Sequence, residues 1–480
     1  AEDPLTLKTD ILVLQGKAYF NLQSYAMAEE KFTGALERQP LNADAKVGMA
    51  LLAMKDADLE AAGQLVDSAI EADDRNEDAW VLKGDLLRIG EEYEEAVAAY
   101  QKALDVIPGG VAARLGRAMS FISMDQPNMA LPEVDDVLDR FPEYYPAQYI
   151  KALALYRQQK PGQASESLVQ VFKQSPNHLP SHLLAGTIAY QQERLNEAER
   201  HLRSYWQRNP DNQQVAKLLA ATLMKSGAPG KAIEVLAPEA DSASEDAQYL
   251  ALLGKAYLET GEVDRGIEML EKAAAVAPDI AGIRTELAIG RLAQGDTDAA
   301  ITELETVVEL GEDLIQADVL LVSAYLQRKD YDAALEAIET LRPKMPGSAL
   351  PDNLKGVTYF RMGDAKSARE AYEAALKTDP GFLPTHFNLA QLDRQAGDFQ
   401  GAEAGYRKIL SLDEGNLKAL LALSRLAAAQ GRNAESEAWL KQAQEQHSDS
   451  LDAGLLLVTH YQQTGQTRNA LDLAEQLKVA

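Results

Sequence analysis

The sequence predicts an all-α solenoid built from about fourteen helical hairpins of 34 residues each. Three observations predict it. Residues that end helices or open turns recur every 34 positions from Pro40 to Ser448, with no insertion or deletion. Small residues recur at two fixed positions of this period, and glycine recurs at a third, between two stretches of helical pattern.

The repeats form one continuous array over residues 9–480, after a lead-in of residues 1–8. A solenoid grows by adding neighbours, so a chain of 480 residues needs no second domain. The last repeat is truncated, and the chain is expected to continue beyond it. The repeats start at residues 9, 43, 77, 111, 145, 179, 213, 247, 281, 315, 349, 383, 417 and 451.

Two rows of small side chains predict close packing of the two helices in each hairpin. Position 20 of the repeat is alanine in most repeats, with Gly266 and Ser436 as exceptions, and position 8 is mostly glycine or alanine. Small residues let two helix backbones approach closely, and large apolar residues at position 24, such as Phe32, Tyr100 and Leu270, fill the adjacent space.

Position 15 lies between the two helices of a repeat and favours glycine. A glycine tolerates the positive φ of a helix C-cap and tight turn. The sequence therefore predicts tight turns there at Gly227, Gly261, Gly295, Gly363, Gly397, Gly431 and Gly465.

The residues at these positions resemble the tetratricopeptide repeat family over essentially the whole chain, most closely at Trp80 and at 253–257 (Leu-Gly-Lys-Ala-Tyr). The resemblance implies a right-handed superhelix. It also implies a protein-interaction scaffold whose ligand groove is lined by the first helix of each repeat, at positions 2, 5, 9, 12 and 13.

Composition and motifs exclude several function classes. The chain carries 47 Lys and Arg against 74 Asp and Glu, a net charge of −27, which predicts no nucleic-acid partner. It has no cysteine, no phosphate-binding loop and no nucleophile motif, so we expect no enzyme, cofactor or metal site. No apolar run is long enough for a membrane span. His178 and His182 are predicted to be solvent-exposed turn residues.

The charge distribution favours a binding stretch in repeats five and six. Residues 43–110 carry 16 acidic and 6 basic side chains, a net −10, whereas residues 145–212 carry 5 acidic and 8 basic ones, a net +3. The groove positions and flanks of that segment give the first candidate groove: Tyr145, Tyr149, Leu153, Tyr156, Arg157, Tyr190, Gln191 and Arg194. The alternative is that these aromatic residues only fill gaps between helices. Repeats eleven and twelve give a second candidate groove: Asn353, Phe360, Arg361, Phe387 and Arg394.

From about Gln316 to Lys478 the sequence is more specific than that of a generic repeat. It contains the segments QADVLLVSAYLQRKDYDAALEAIETL, LPDNLKGVTYFRMGDAKSAREAYEAALKTDPGFLPTHFNLAQLD and NLKALLALSRLAAAQGRNAESEAWLKQA. This stretch resembles the tetratricopeptide lipoproteins of the PrsT type, which accompany the bacterial PEP-CTERM and exosortase sorting system. The resemblance implies a periplasmic protein tethered to the outer membrane through a lipid anchor in a preceding N-terminal segment.

The sequence therefore predicts a non-enzymatic scaffold that binds a protein or peptide in exopolysaccharide assembly or export, or in PEP-CTERM protein sorting. Two alternatives remain open. One is a cytosolic adaptor that binds extended peptides. The other is a carbohydrate-binding solenoid whose tyrosines stack on sugars, including those of an acidic polysaccharide.

Overall fold

A computed structural model describes residues 4–311 and 314–479, and within them the protein consists of α-helices and two short 3₁₀ helices. The chain divides into two compact units, residues 1–239 and 240–480. The predicted all-α fold is confirmed in both. That the array is continuous across residue 239 remains a prediction.

In the N-terminal unit the described residues 4–239 form fourteen α-helices: α1 (Pro4–Asn21), α2 (Tyr25–Arg38), α3 (Ala43–Lys55), α4 (Leu59–Ala72), α5 (Glu77–Ile89), α6 (Tyr93–Val106), α7 (Val111–Ser123), α8 (Pro127–Arg140), α9 (Tyr145–Arg157), α10 (Pro161–Gln174), α11 (Leu179–Gln191), α12 (Leu195–Trp206), α13 (Gln213–Lys225) and α14 (Pro229–Leu236).

In the C-terminal unit the described residues form α15 (Ala247–Glu259), α16 (Val263–Val276), α17 (Ala281–Gln294), α18 (Thr297–Glu309), α19 (Ile315–Arg328), α20 (Tyr331–Leu341), α21 (Leu350–Met362), α22 (Ala365–Thr378), α23 (Leu383–Gln395), α24 (Phe399–Leu412), α25 (Leu417–Ala429), α26 (Asn433–Gln446), α27 (Leu451–Gln463) and α28 (Thr467–Val479).

Each 34-residue repeat is a helical hairpin, as predicted. Its first helix covers about positions 1–13, and its second begins near position 17 and packs against the first. Many helix starts are capped by side chains that accept a hydrogen bond from a backbone N–H of the first turn. Asn42 caps α3 in this way and Asp58 caps α4. Helix α1 begins at Pro4, so it includes the end of the lead-in.

The small residues at positions 8 and 20 face each other, as predicted. A Cβ added to Gly254 would lie 2.9 Å from the carbonyl oxygen of Gly266, and in another repeat the hydroxyls of Ser424 and Ser436 are 2.9 Å apart. The large side chain at position 24 packs directly on position 8 as well. A Cβ on Gly84 would lie 2.6 Å from the ring of Tyr100, which is fully buried.

Position 15 adopts a positive φ in all fourteen repeats, which the glycine pattern predicted for only seven. The seven glycines have φ between 72° and 90°. The other seven repeats place a non-glycine residue in the same left-handed conformation, with φ between 56° and 63°. The turn geometry is therefore imposed by the packing of the hairpin, whatever residue stands there. These residues are Gln23, Ala57, Glu91, Asp125, Gln159, Glu193 and Lys329.

Two second helices are shorter than the others and continue as a 3₁₀ turn. Helix α14 ends at Leu236 and is followed by the 3₁₀ helix Ala237–Glu239, which contains Pro238. Helix α20 is followed in the same way by Arg342–Lys344, which contains Pro343. Proline has no N–H to donate to the preceding turn, so it weakens a regular α-helix at that point.

Candidate functional site

The first helices of neighbouring repeats contact one another in the N-terminal unit. Helix α9 touches both α7 and α11, and α11 touches α13. Side chains at the predicted groove positions of these helices can therefore form one row. We call Tyr149, Tyr156 and Tyr190 the tyrosine row.

The structure connects the tyrosine row through polar contacts between repeats. The amide nitrogen Nε2 of Gln191 donates a hydrogen bond of 2.8 Å to the hydroxyl of Tyr156. The ammonium of Lys225 lies 4.9 Å above the centre of the Tyr190 ring. Arg157 is exposed and makes no hydrogen bond or salt bridge with another described residue. This end of the row combines aromatic faces with a free positive charge.

At the other end of the row the aromatic residues are part of the packing. Tyr149 and Leu153 are half-buried and lie against the hydrophobic clusters on both sides. The His178 ring makes edge contacts with Tyr145 and Tyr149, at centroid distances of 5.5 and 5.1 Å. Burial raises the pKa of Tyr149, so this hydroxyl stays neutral.

Arg194, the last member of the first candidate groove, lies elsewhere. It precedes α12, its guanidinium contacts Glu197 and Gln192, and it lines a separate pocket of about 700 Å³ among α10, α11 and α12. We call this the α10–α12 pocket. Its wall includes Phe172, Arg200 and His201, which the sequence analysis did not single out.

His178 lies in the turn before α11, as predicted, but the prediction that both histidines are solvent-exposed turn residues is otherwise wrong, because His182 lies within α11. Both are half-buried: His178 contacts the two tyrosines, and His182 lines the α10–α12 pocket. The Nδ1 atoms of His182 and His201 are 2.9 Å apart, and Nε2 of His182 lies 2.9 Å from the carbonyl oxygen of Pro176. In the part of the chain that the structure describes, no three His, Cys, Asp or Glu side chains are placed to hold a metal ion.

The α10–α12 pocket had a signal in the sequence. Six of the eight basic side chains in residues 145–212 lie outside the first helices α9 and α11, on second helices or turns. Three of the six histidines of the chain fall in the same segment. The basic charge that pointed to a groove thus lies mostly away from the first helices: Lys160, Lys173, Arg194, Arg200, Arg203 and Arg208.

Some residues of the second candidate groove are part of the packing between helices. Asn353 is buried, and its side-chain oxygen accepts hydrogen bonds from Thr385 at 2.9 Å and from Asn388 at 3.0 Å. Phe387 packs 5.5 Å from the Tyr406 ring and borders a pocket of about 430 Å³. Of the other residues of this groove, Phe360 is half-buried, and Arg361 and Arg394 are exposed.

Another small pocket, of about 250 Å³, is lined by residues of repeats one to three, and so includes part of the acidic repeats two and three. Lys17 lines this pocket and donates hydrogen bonds to Asp44 at 3.2 Å and Asp78 at 3.0 Å. Burial alone lowers the pKa of Lys17, but the bonds and charges of these two carboxylates raise it overall. The acidic charge there is already partly compensated within the chain.

None of the described helices is both long and apolar enough to cross a lipid bilayer.

Sequence models of one repeat family match most of the chain. Two models described as tetratricopeptide repeat match residues 155–222, 189–255, 359–405 and 393–457, and residues 13–77, 48–111 and 251–311. A third, described as tetratricopeptide repeat-like domain, matches residues 282–381. No curated protein sequence matches the chain significantly.

Solved structures with a similar fold share little sequence with it. The hetero-tetramer Cut9-Hcn1 of the APC/C has a chain with 15% identity and a TM-score of 0.36, over 94% of this chain and 96% of that one. A tetratricopeptide repeat protein from Parabacteroides merdae has 17% identity and a TM-score of 0.37, over 52% of this chain and 98% of that one. Values this low say nothing about a shared partner.

Proposed function

Because this chain belongs to the tetratricopeptide repeat family, we propose that it is a scaffold that binds an extended segment of a partner protein along the tyrosine row. Tetratricopeptide repeats are protein-interaction modules, and stacked hairpins present a long surface without needing a catalytic pocket. The observation that carries the proposal is the arrangement of Tyr156, Gln191, Tyr190 and Lys225 beside the unpaired Arg157.

The chemistry of this row favours an acidic segment with aromatic or apolar side chains. Tyrosine offers a large contact area at a low cost in side-chain entropy, and its hydroxyl can also hydrogen-bond. Arg157 and Lys225 supply positive charge on a chain whose net charge is −27. An anionic segment is therefore attracted here and repelled from much of the rest of the surface.

The test is a selection of displayed random peptides against the protein. Peptides rich in Asp, Glu and aromatic residues should be enriched on the wild type, and their binding should weaken as salt rises. The variant Tyr156→Ala, Arg157→Ala, Tyr190→Ala should lose most of this binding while its helix content stays the same. The matched control in the second candidate groove is Phe360→Ala, Arg361→Ala, Phe387→Ala.

Two outcomes would contradict the placement of the binding site at the tyrosine row. If only the control variant loses binding, the peptide lies in repeats eleven and twelve. If neither variant loses it, the aromatic residues serve only in packing. Binding of alginate, an acidic polysaccharide, that is lost in the first variant while no peptide is enriched would support the carbohydrate-binding alternative.

The cellular role is proposed from the resemblance of about residues 316–478 to PrsT-type lipoproteins. On this basis the protein acts in the periplasm, tethered to the outer membrane, in exopolysaccharide assembly or export or in PEP-CTERM sorting. Fractionation of the native cells checks the location with an antibody against the chain. Recovery in the cytosolic fraction alone would contradict it and favour the cytosolic adaptor.

A further inference from the structure

The α10–α12 pocket is separate from the tyrosine row and has the size of a small-molecule site. Its volume of about 700 Å³ falls in the range of pockets that enclose small organic ligands. Residues of α10 and α12 make up most of its lining, and α11 contributes His182 and Ala185. The proposed scaffold role makes no use of this pocket.

One wall of the pocket is a chain of hydrogen bonds with a fixed direction. Arg200 has only donors, so its Nη2, 3.2 Å from Nε2 of His201, must donate to that nitrogen. Nδ1 of His201 then carries the proton and donates to Nδ1 of His182. The proton of His182 is therefore on Nε2, which donates to the carbonyl oxygen of Pro176. Both histidines are neutral, and all four of their ring nitrogens are used.

This series of hydrogen bonds orients the Arg200 side chain without neutralising its positive charge. A neutral imidazole holds one nitrogen of the guanidinium, while Arg200 forms no salt bridge within the described part of the chain. Among the described residues, the ammonium of Lys173 likewise donates a hydrogen bond only to the neutral side chain of Gln170, at 3.0 Å. Arg194 is paired with Glu197, and the exposed Glu166 is the remaining charge of the lining. The pocket thus has an excess of positive charge, carried by two cations that lack carboxylate partners.

The other wall is apolar and partly aromatic. The Phe172 ring stacks on His201, with centroids 5.1 Å apart and an angle of 24° between the planes. Val169 also lines the pocket and is 52% exposed, a high value for a large apolar side chain beside a pocket. A flat apolar group would cover both side chains and remove their surface from water.

We propose that the α10–α12 pocket binds a small aromatic anion, whose acidic group is held by Arg200 and Lys173 and whose ring lies against Phe172 and Val169. The acidic group is a carboxylate, sulfonate or phosphate, since a guanidinium binds any of these through charge-assisted hydrogen bonds. Because His201 already holds Arg200 in place, little side-chain entropy is lost when the anion binds.

The experiment uses two fluorescent probes of nearly the same shape on the full chain. 8-Anilinonaphthalene-1-sulfonate carries an anionic group, and N-phenyl-1-naphthylamine is its neutral counterpart. We expect the sulfonate to bind the wild type at least about tenfold more tightly than the neutral probe, the effect of one charge-assisted contact. Arg200→Gln should abolish this preference, and Phe172→Leu should weaken the binding of both probes.

The control is Arg38→Gln in α2, which removes an exposed arginine whose side chain has no hydrogen-bond or salt-bridge partner among the described residues and which belongs to neither proposed binding site. It should leave both affinities within about twofold of the wild type, because it lies outside the pocket lining. Circular dichroism of each variant checks that the helices remain. Equal binding of the two probes to the wild type, or equal loss of sulfonate binding in Arg38→Gln and Arg200→Gln, would overturn the proposal.

Discussion

At the residue scale, the left-handed turns at position 15 store strain wherever the residue is not glycine. Gln159 and Glu91 are exposed and have φ of 58° and 61°. This conformation costs a residue with a Cβ about 1–2 kcal/mol, and it costs glycine much less.

We therefore expect Gln159→Gly and Glu91→Gly each to raise the free energy of unfolding by about 0.5–1 kcal/mol. This net gain is smaller than the strain that is relieved, because glycine also gives the unfolded chain more conformational entropy. The reverse change, Gly261→Ala, should lower it by about 1 kcal/mol, since Gly261 has φ 85° with no atom near its missing Cβ. Urea denaturation measures all three. A loss of stability in both glycine variants would show that these turns are not strained.

His201 gives the second prediction at this scale. Its burial, with a smaller contribution from the positive Arg200, lowers its pKa to about 4. The unfolded chain binds the proton near the ordinary pKa of 6.5, and the folded chain does so only near 4. Stability is therefore lost as the pH falls from 6.5 towards 4.

Between pH 7 and pH 5 the wild type should lose about 2 kcal/mol more unfolding free energy than His201→Gln, which has no titrating ring. The comparison is made on the pH dependence of each protein, so the packing cost of the substitution cancels. Parallel curves for the two proteins would mean that His201 titrates alike in the folded and unfolded chain.

At the scale of the element, the contact of position 24 with position 8 holds each hairpin together. The Tyr100 ring lies between Gly84 of its own repeat and Gly116 of the next, and its hydroxyl donates a 2.7 Å hydrogen bond to Asp85. The ring therefore has no room to move aside. Burial raises the pKa of Tyr100 well above its ordinary value, because the charged form would be poorly solvated there.

Two glycine-to-alanine changes inside helices should consequently have opposite signs. Gly84→Ala puts a methyl group 2.6 Å from the Tyr100 ring and should cost about 1–3 kcal/mol through overpacking. Gly63→Ala in α4 meets no atom within 4 Å and should gain about 0.5–1 kcal/mol from helix propensity. Thermal and urea unfolding check both, and a gain in stability for Gly84→Ala would refute the packing described here.

The hairpins could be predicted from the sequence because their packing is local and repeats with the period. Ala198 and Tyr100 occupy positions whose neighbours lie within one or two repeats, so the periodic pattern carries the contact. The α10–α12 pocket could not be predicted in this way. It depends on how far α10 and α12 stand apart and on where Phe172, Arg200 and His201 point, and these second-helix positions have no periodic signature. Arg194 was selected from the sequence because of its charge. This residue was assigned to the groove because the periodic pattern does not show which way such a side chain points.

At the scale of the whole molecule, each compact unit has its own buried clusters, and stability in a repeat array comes from each repeat and its nearest neighbours. A fragment of residues 1–239 ends after the 3₁₀ turn at Ala237–Glu239, where no α-helix is cut. We expect this fragment to fold alone, with the helix content of its fourteen helices and a cooperative urea transition.

The control fragment ends at His201, in the middle of α12, and removes Leu202, which is fully buried against the first helix of its repeat. It should unfold at a clearly lower urea concentration, since Gly186 and the rest of α11 lose their partner. Absence of a helical signal from residues 1–239 would show that this unit depends on the remainder of the chain.

The left-handed turns also say something about the history of the gene. Ala57, Glu91, Asp125 and Glu193 are each one nucleotide substitution away from glycine, because their codons differ from glycine codons at the second base alone. A single base change thus gives glycine, the residue expected to be more stable in this conformation, and the chain still carries the non-glycine residue at each site. If the glycine variants prove more stable, selection has not acted to raise stability at these turns, as expected for a protein that already exceeds the threshold its function needs.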